Sequence, residues 1–332
     1  MIIHLNKDIS KDRAAALAEQ IKAFHIEEDG IQVLITGSGV KEVPAAVAAF
    51  TENHWVFAND LQLASSKYKK EKRTVQIGNI TIGGTSGNTL VIAGPCSVES
   101  EEQIRQSSQL LVKNGLTTLR GGCYKPRTSP YSFQGLGIEG LRLLSKMREE
   151  FGLTIITEVR DATQIAEVIE YSDVIQVGAK AMYDQGILRA CAKTQKPVLI
   201  KRGFGTTLQE FVQAAEFVLS GGNPNVILCE RGIRTFETGT RFTLDLCGVA
   251  WLQEYTNLPI VLDPSHAMGY AYGVPALSKA CTAMGIDGLL IEVHPDPSVA
   301  KSDASQQLDH AQFEKLLGEL QPVAQSVGYQ IV

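Results

Sequence analysis

The chain opens with a short apolar run, "MIIHL", that reads as a strand. Ser10 then stands where it can cap a helix whose apolar positions Leu17, Ile21 and Phe24 recur at helical spacing. "IQVLITG" reads as a second strand, "VPAAVAAF" as a short helix and "HWVFAND" as a third strand. With "HIEED" as an extra strand, the order over residues 1–68 is β-α-β-β-α-β, a ferredoxin-like α+β unit. The charged run "KYKKEKR", residues 67–73, reads as a solvated linker. In "TVQIGNITIGG", Val75 and Ile77, then Ile80 and Ile82, alternate with polar residues around a Gly78-Asn79 turn. Residues 69–88 are therefore expected to form a linker and a β-hairpin that covers one end of the main domain.

From residue 89 a repeating pattern begins. Apolar strand candidates occur at "TLVIAGP", "LTTLRGG", "LTIITEV", "DVIQVGA", "PVLIKRG", "NVILCERG", "PIVLDPSH" and "GLLIEVHP", with helix-permissive segments between them. In the first such segment Ser100 can be the N-cap, Gln103 its reciprocal partner and Gly115 the C-terminal stop. Strands and helices alternating eight times predict a (β/α)8 barrel over residues 89–332, with the hairpin at its N-terminal end. A doubly wound sheet would show fewer strands and a Gly-rich first turn, and none is present.

Composition narrows the function classes. The 332 residues carry a formal net charge of −5, so no overall cationic field favours a nucleic-acid partner. No stretch is long and apolar enough to span a bilayer, and "MIIHLNKDIS" lacks the pattern of a secretory signal, which points to a cytoplasmic protein. The six cysteines are scattered and form no CxxC pair, as expected of reduced, buried thiols.

In a barrel the C-terminal ends of the strands face the active site. Two chemical groups gather there. Arg120, Lys125, Arg127, Lys180, Lys201 and Arg231 are cations that would repel each other without an anion, so they imply a phosphorylated, carboxylated substrate. Cys96, His266 and Glu292, with Asp296 and Asp303 nearby, are donors suited to a divalent transition metal. Strands 7, 8 and 1 are neighbours only if the barrel closes. The spacing alone leaves open a plain buried cysteine beside a strand-end histidine.

"AGPCSVE", "LRGGCYKPRTSPYSFQG", "LIKRGF", "ILCERGIRTFE", "DPSH" and "EVHPDP…KSD" together resemble the 3-deoxy-D-arabino-heptulosonate 7-phosphate (DAHP) synthases, type I-beta, with an N-terminal ferredoxin-like regulatory domain. The resemblance covers residues 75–325 by motif and the first 68 residues by layout. It implies condensation of phosphoenolpyruvate with D-erythrose 4-phosphate, the first step of the shikimate route to aromatic amino acids. It assigns Cys96, His266, Glu292 and Asp303 to a divalent metal, manganese ahead of iron, cobalt, zinc or cadmium. Arg120, Lys125 and Lys201 would orient the carboxylate of phosphoenolpyruvate, while Ala179, Lys180 and Arg231 would hold its phosphate. Pro126, Arg127, Thr128 and Ser129 belong to the loop that grips both substrates, with Arg127 and Thr128 on the aldose phosphate. Glu158 would position a water, Lys201, amid other cations, would carry protons, and Asp263 joins Lys125, Lys201 and Glu158 in the catalytic set. The resemblance further implies a dimer or tetramer and feedback inhibition by Tyr or Phe at residues 1–68.

Two departures from the family pattern stand out. The segment after strand 4 reads Gly178-Ala179-Lys180 where an arginine is usual, and residues 267–275 read "AMGYAYGVP" where relatives carry a basic stretch. Two alternatives accompany the reading. One is the sister synthase that uses arabinose 5-phosphate, which differs at Lys125-Pro126-Arg127-Thr128-Ser129. The other is a non-catalytic anion-binding barrel, which should have lost a metal donor.

Overall fold

The structure, a computed structural model, describes residues 1–125, 129 and 131–332. Strands β1 (Ile2–Leu5), β2 (Phe24–Glu28), β3 (Ile31–Ile35) and β4 (Thr51–Trp55) form an antiparallel sheet in the order β2-β3-β1-β4. Helices α1 (Lys11–Ile21) and α2 (Ala45–Ala48) complete the ferredoxin-like unit. Ser10 caps α1 by accepting from the Arg13 amide. The helix stops where Lys22 turns left-handed at φ 55°, so Phe24 leaves the expected helical stripe and starts β2, largely exposed. The third strand also begins earlier than "HWVFAND" suggests.

The run 67–73 is not a solvated linker. Tyr68 is buried and donates to Glu28, and Arg73 pairs with the same carboxylate in a nearly dry setting. Lys72 pairs with Asp287 of the barrel. Charged side chains alone suggest solvent, but each of these has a carboxylate waiting across the junction.

Hairpin β5 (Thr74–Ile77) and β6 (Ile80–Gly83) turns at Gly78, whose φ of +58° suits glycine. Its Val75, Ile77 and Ile82 enter the lower barrel interior with Leu90, Ile92, Ile156, Leu199 and Val261, and so plug that end.

The barrel strands are β7 (Asn88–Gly94), β8 (Thr118–Arg120), β9 (Thr154–Val159), β10 (Val174–Val177), β11 (Val198–Lys201), β12 (Val226–Glu230), β13 (Ile260–Leu262) and β14 (Gly288–Glu292). All pair in parallel in sequence order, and β14 pairs back on β7, closing the ring. Helices α3 (Glu101–Lys113), α4 (Ile138–Phe151), α5 (Ile165–Tyr171), α6 (Gln185–Ala192), α7 (Leu208–Leu219), α8 (Leu246–Tyr255), α9 (Pro264–Met268), α10 (Val274–Ala283) and α11 (His310–Ser326) surround it. A final short strand, β15 (Gln330–Ile331), extends from β7. Ser100 caps α3 as expected, but the Gln103 side chain accepts from Glu99 and donates to Ser97 instead of closing a reciprocal box.

The N-terminal unit rests on the barrel wall. Ile2, Ile26, Val33, Phe57 and Leu63 share one apolar core with the barrel helices. Glu216 of α7 accepts the backbone N–H groups of Gln62, Leu63 and Ala64.

Candidate active site

The strand ends deliver their side chains into one mouth. Cys96 follows β7 by two residues, Glu292 ends β14, and Asp303 sits on the loop after β14. One donor atom from each lies within 4.8 Å of the others, a group of three able to hold a metal ion. Asp303 adopts a left-handed backbone (φ 48°), a strained conformation for a non-glycine residue that aims its carboxylate inward. Asp296, the other carboxylate singled out in the sequence, instead caps its own turn through Ser298, apart from this group.

His266 flanks the three donors. Its Nδ1 bonds Asp263 Oδ2 at 2.7 Å, and its Nε2 lies 3.3 Å from Glu292 Oε1. His266 and Lys201 overcome burial to hold the Asp263 carboxyl well below its usual range, so Asp263 accepts and Nδ1 carries the proton. Burial, only partly opposed by Asp263 and Glu292, lowers the His266 value. Its Nε2 faces a carboxylate oxygen at a separation that either a ring proton or a bound metal ion can bridge. Burial, then Glu292, pushes the Cys96 thiol up to about 12. A divalent cation would reverse that by stabilising the thiolate. The residues present thus fit a divalent metal with mixed sulfur, nitrogen and oxygen donors.

The cations line the adjoining space. Arg120 donates to Glu292 Oε1 at 3.0 Å and to the Pro95 carbonyl. Lys125 Nζ lies 3.0 Å from Cys96 Sγ and 3.1 Å from the Cys96 carbonyl. Burial opposes the Lys125 charge, but Cys96 and Glu292 outweigh it and raise its value. Lys201 donates to Asp263 at 2.6 Å, so its nearest partner is a carboxylate where the sequence suggested a purely cationic setting. Glu158 accepts from Gln176 at 2.7 Å.

A cavity of about 250 Å³ opens between these groups. Lys125, Glu158, Ala179, Lys180, Lys201, Arg231, His266 and Asp303 line it, together with four residues that the sequence did not single out: Phe204, Arg234, Arg241 and Phe242. Arg231 is buried, its Nη1 has no partner among the described residues, and its guanidinium lies 4.3 Å from the Phe242 ring centroid. Burial lowers its value, a cost that an anion would offset. "ERGIRTFE" carried a signal for Arg234, but Arg241 and Phe242 lie on the β12–α8 loop, away from any strand end.

Not every candidate reaches the cavity. Ser129 bonds within its own loop, to Tyr131, Ser132 and Gln134. Pro126, Arg127 and Thr128 lie outside the described residues. The altered segment 267–275 is ordered by its neighbours: the Gly269 carbonyl accepts from Ser305, and the Met268 and Ala267 carbonyls accept from the Arg241 and Phe242 amides.

The DAHP synthetase I family profile matches residues 65–327. A phospho-2-dehydro-3-deoxyheptonate aldolase of Thermotoga maritima is 42% identical over 270 residues, 81% of this chain and 79% of its own. A 2-dehydro-3-deoxyphosphooctonate aldolase of Syntrophotalea carbinolica is 34% identical over 75% of this chain and 95% of its own. The crystal structure of the Thermotoga maritima aldolase superposes with a TM-score of 0.80 at 36% identity, covering 100% of this chain and 99% of that one. A truncated form of the Thermotoga enzyme matches 81% of this chain and 98% of its own, with a TM-score of 0.76.

Proposed function

The chain belongs to the DAHP synthetase I family, and from that premise we propose how its barrel mouth condenses phosphoenolpyruvate with D-erythrose 4-phosphate to give DAHP and phosphate. The observation that carries the proposal is the buried Nη1 of Arg231, without a partner among the described residues, in a cationic cavity that touches the donors His266 and Asp303.

Lys180 and Arg231 hold the phosphate of phosphoenolpyruvate against the Ala179 backbone. Lys125 and Arg120 turn its carboxylate toward the donor group, and Lys201, braced by Asp263, closes the third side. This fixes C3 for attack on the aldehyde carbon of the aldose and leaves the face near Glu158 for water. Cys96, His266, Glu292 and Asp303 would hold a divalent ion, with manganese the first choice, which when bound would supply a Lewis acid for the aldehyde oxygen. As C3 bonds to the aldehyde carbon, the C=O electron pair moves onto the aldehyde oxygen, which takes a proton from Lys201, and positive charge develops at C2; water adds there and gives a proton to Glu158, and phosphate leaves with the C2–O bond electrons as the C2 hydroxyl loses its proton and becomes the carbonyl. The C2 hydroxyl proton returns to Lys201, so both residues end as they began once Glu158 releases its proton with the phosphate. Arg127 and Thr128 grip the aldose phosphate. Asp263 keeps His266 in the tautomer that the metal needs.

The aldose is erythrose 4-phosphate, because the Lys125–Ser129 sequence and the 42% identity favour it over arabinose 5-phosphate. Assaying phosphate release with each aldose tests this: turnover with arabinose 5-phosphate alone would overturn the assignment. Residues 1–68 serve as a regulatory unit that binds Tyr or Phe in a cytoplasmic dimer or tetramer. Their packing on α7 gives such binding a route to the barrel. Saturating Tyr and Phe should slow the full-length enzyme, and an unaffected rate would reject regulation.

A further inference from the structure

One buried amide joins the two halves of the mouth. Gln306 is 1% exposed and lies on the loop that also carries Asp303. Its Nε2 donates to Glu292 Oε2 at 2.6 Å, and its Oε1 accepts from Arg241 Nη1 at 2.7 Å. The direction of the amide is fixed by its partners: a carboxylate only accepts and a guanidinium only donates. Arg241 also reaches Asp303 at 3.3 Å.

Arg241 is itself held in place. Its amide donates to the Met268 carbonyl, and Gly269 allows the approach: at its φ of +76° a Cβ would come 2.5 Å from the Arg241 Cβ. The side chain lines the same cavity as Arg231 and stands 6.0 Å from the Phe242 ring centroid, whose ring also carries Arg231. Two guanidinium groups on one aromatic ring, facing one cavity, call for a shared anion.

We propose that Arg241 binds the phosphoryl group of a substrate, and that Gln306 is a positioning residue that couples this grip to the metal-facing carboxylate Glu292. The inference rests on the reading that the cavity takes phosphorylated substrates beside a divalent metal. Gln306 cannot swing away from Glu292 without releasing Arg241. Phosphoryl binding and metal binding therefore each favour the amide orientation that serves the other.

Arg241→Met, Gln306→Leu and the double variant test this. The readouts are separate KM values for phosphoenolpyruvate and erythrose 4-phosphate, the melting temperature, and Mn²⁺ affinity measured by titrating chelator-stripped protein. Arg241→Met should raise one KM by about 10–100-fold, the loss of a charged hydrogen bond, and weaken Mn²⁺ binding less than Gln306→Leu does, because Gln306 keeps its donor to Glu292. Which KM rises identifies whose phosphoryl group is held. Gln306→Leu should raise the same KM and weaken Mn²⁺ by about 10–100-fold. In the Arg241→Met background it should leave that KM unmoved while still weakening Mn²⁺. Should Gln306→Leu fail to fold, Gln306→Glu keeps an acceptor for Arg241 and offers no donor to Glu292. It should leave the KM near wild type while the Mn²⁺ affinity changes, and a KM as high as that of Arg241→Met would overturn the coupling. A wild-type protein inactive with both substrates would defeat the underlying functional reading. An active wild type whose KM values are untouched by Arg241→Met would defeat this inference alone.

Discussion

His266 Nε2 lies 3.3 Å from Glu292 Oε1, with the ring's other nitrogen bonded to the Asp263 carboxylate. A metal ion can bridge that separation when the ring proton sits on Nδ1, and the Asp263 carboxylate favours that tautomer. Asp263→Asn should let the amide donate to Nδ1 and move the ring proton to Nε2. Mn²⁺ affinity should then fall by about 10–100-fold in a folded protein, read by equilibrium titration. Unchanged affinity would mean that His266 does not serve the metal.

Lys180 lines the cavity together with Arg231. Lys180→Ala should raise the KM for phosphoenolpyruvate by a factor matching about 1.5–3 kcal/mol, the range for a charged hydrogen bond. Lys180→Arg should stay near wild type, since the charge is kept. A KM unmoved in Lys180→Ala would place the side chain's role elsewhere.

The barrel is legible in the sequence because eight apolar runs of similar length recur between helix-permissive segments, and closure follows from their number. The site is legible because strand ends point one way, so Cys96, Glu292 and Arg231 can be read as neighbours. What escapes is whatever depends on loops or on pairing across the junction. Arg241 and Gln306 lie away from strand ends, and nothing in their local sequence says that a carboxylate and a cavity await them. The run 67–73 reads as solvated because its partners, Glu28 and Asp287, are about 40 and 215 residues away in sequence. Phe24 reads as helical because the left-handed turn at Lys22 has no glycine to announce it.

Glu216 joins the N-terminal unit to the barrel. Burial pushes its carboxyl up to about 7, with the N–H groups of Ala64, Gln62 and Leu63 opposing. The docked form thus holds a proton that an undocked carboxyl, with an ordinary value near 4.5, has already lost. Docking is favoured most below pH 4.5 and weakens as the pH rises to about 7. Limited proteolysis across residues 57–66 should therefore quicken between roughly pH 5 and pH 8. Glu216→Gln should remove that dependence, because an amide does not titrate. A wild-type cleavage rate that is flat across this range would refute the role of Glu216.

The proposed catalysis turns on a metal held beside a phosphate-binding cavity, and stripping and restoring that metal tests it most directly. Phosphate release from phosphoenolpyruvate and erythrose 4-phosphate is followed in protein treated with chelator, then with Mn²⁺ added back, for wild type and Cys96→Ala. The expected result is activity lost on chelation and recovered with Mn²⁺ in the wild type, and little recovery in Cys96→Ala, whose donor set lacks its soft ligand. Full activity in thoroughly chelated wild type, or full recovery in Cys96→Ala, would contradict it.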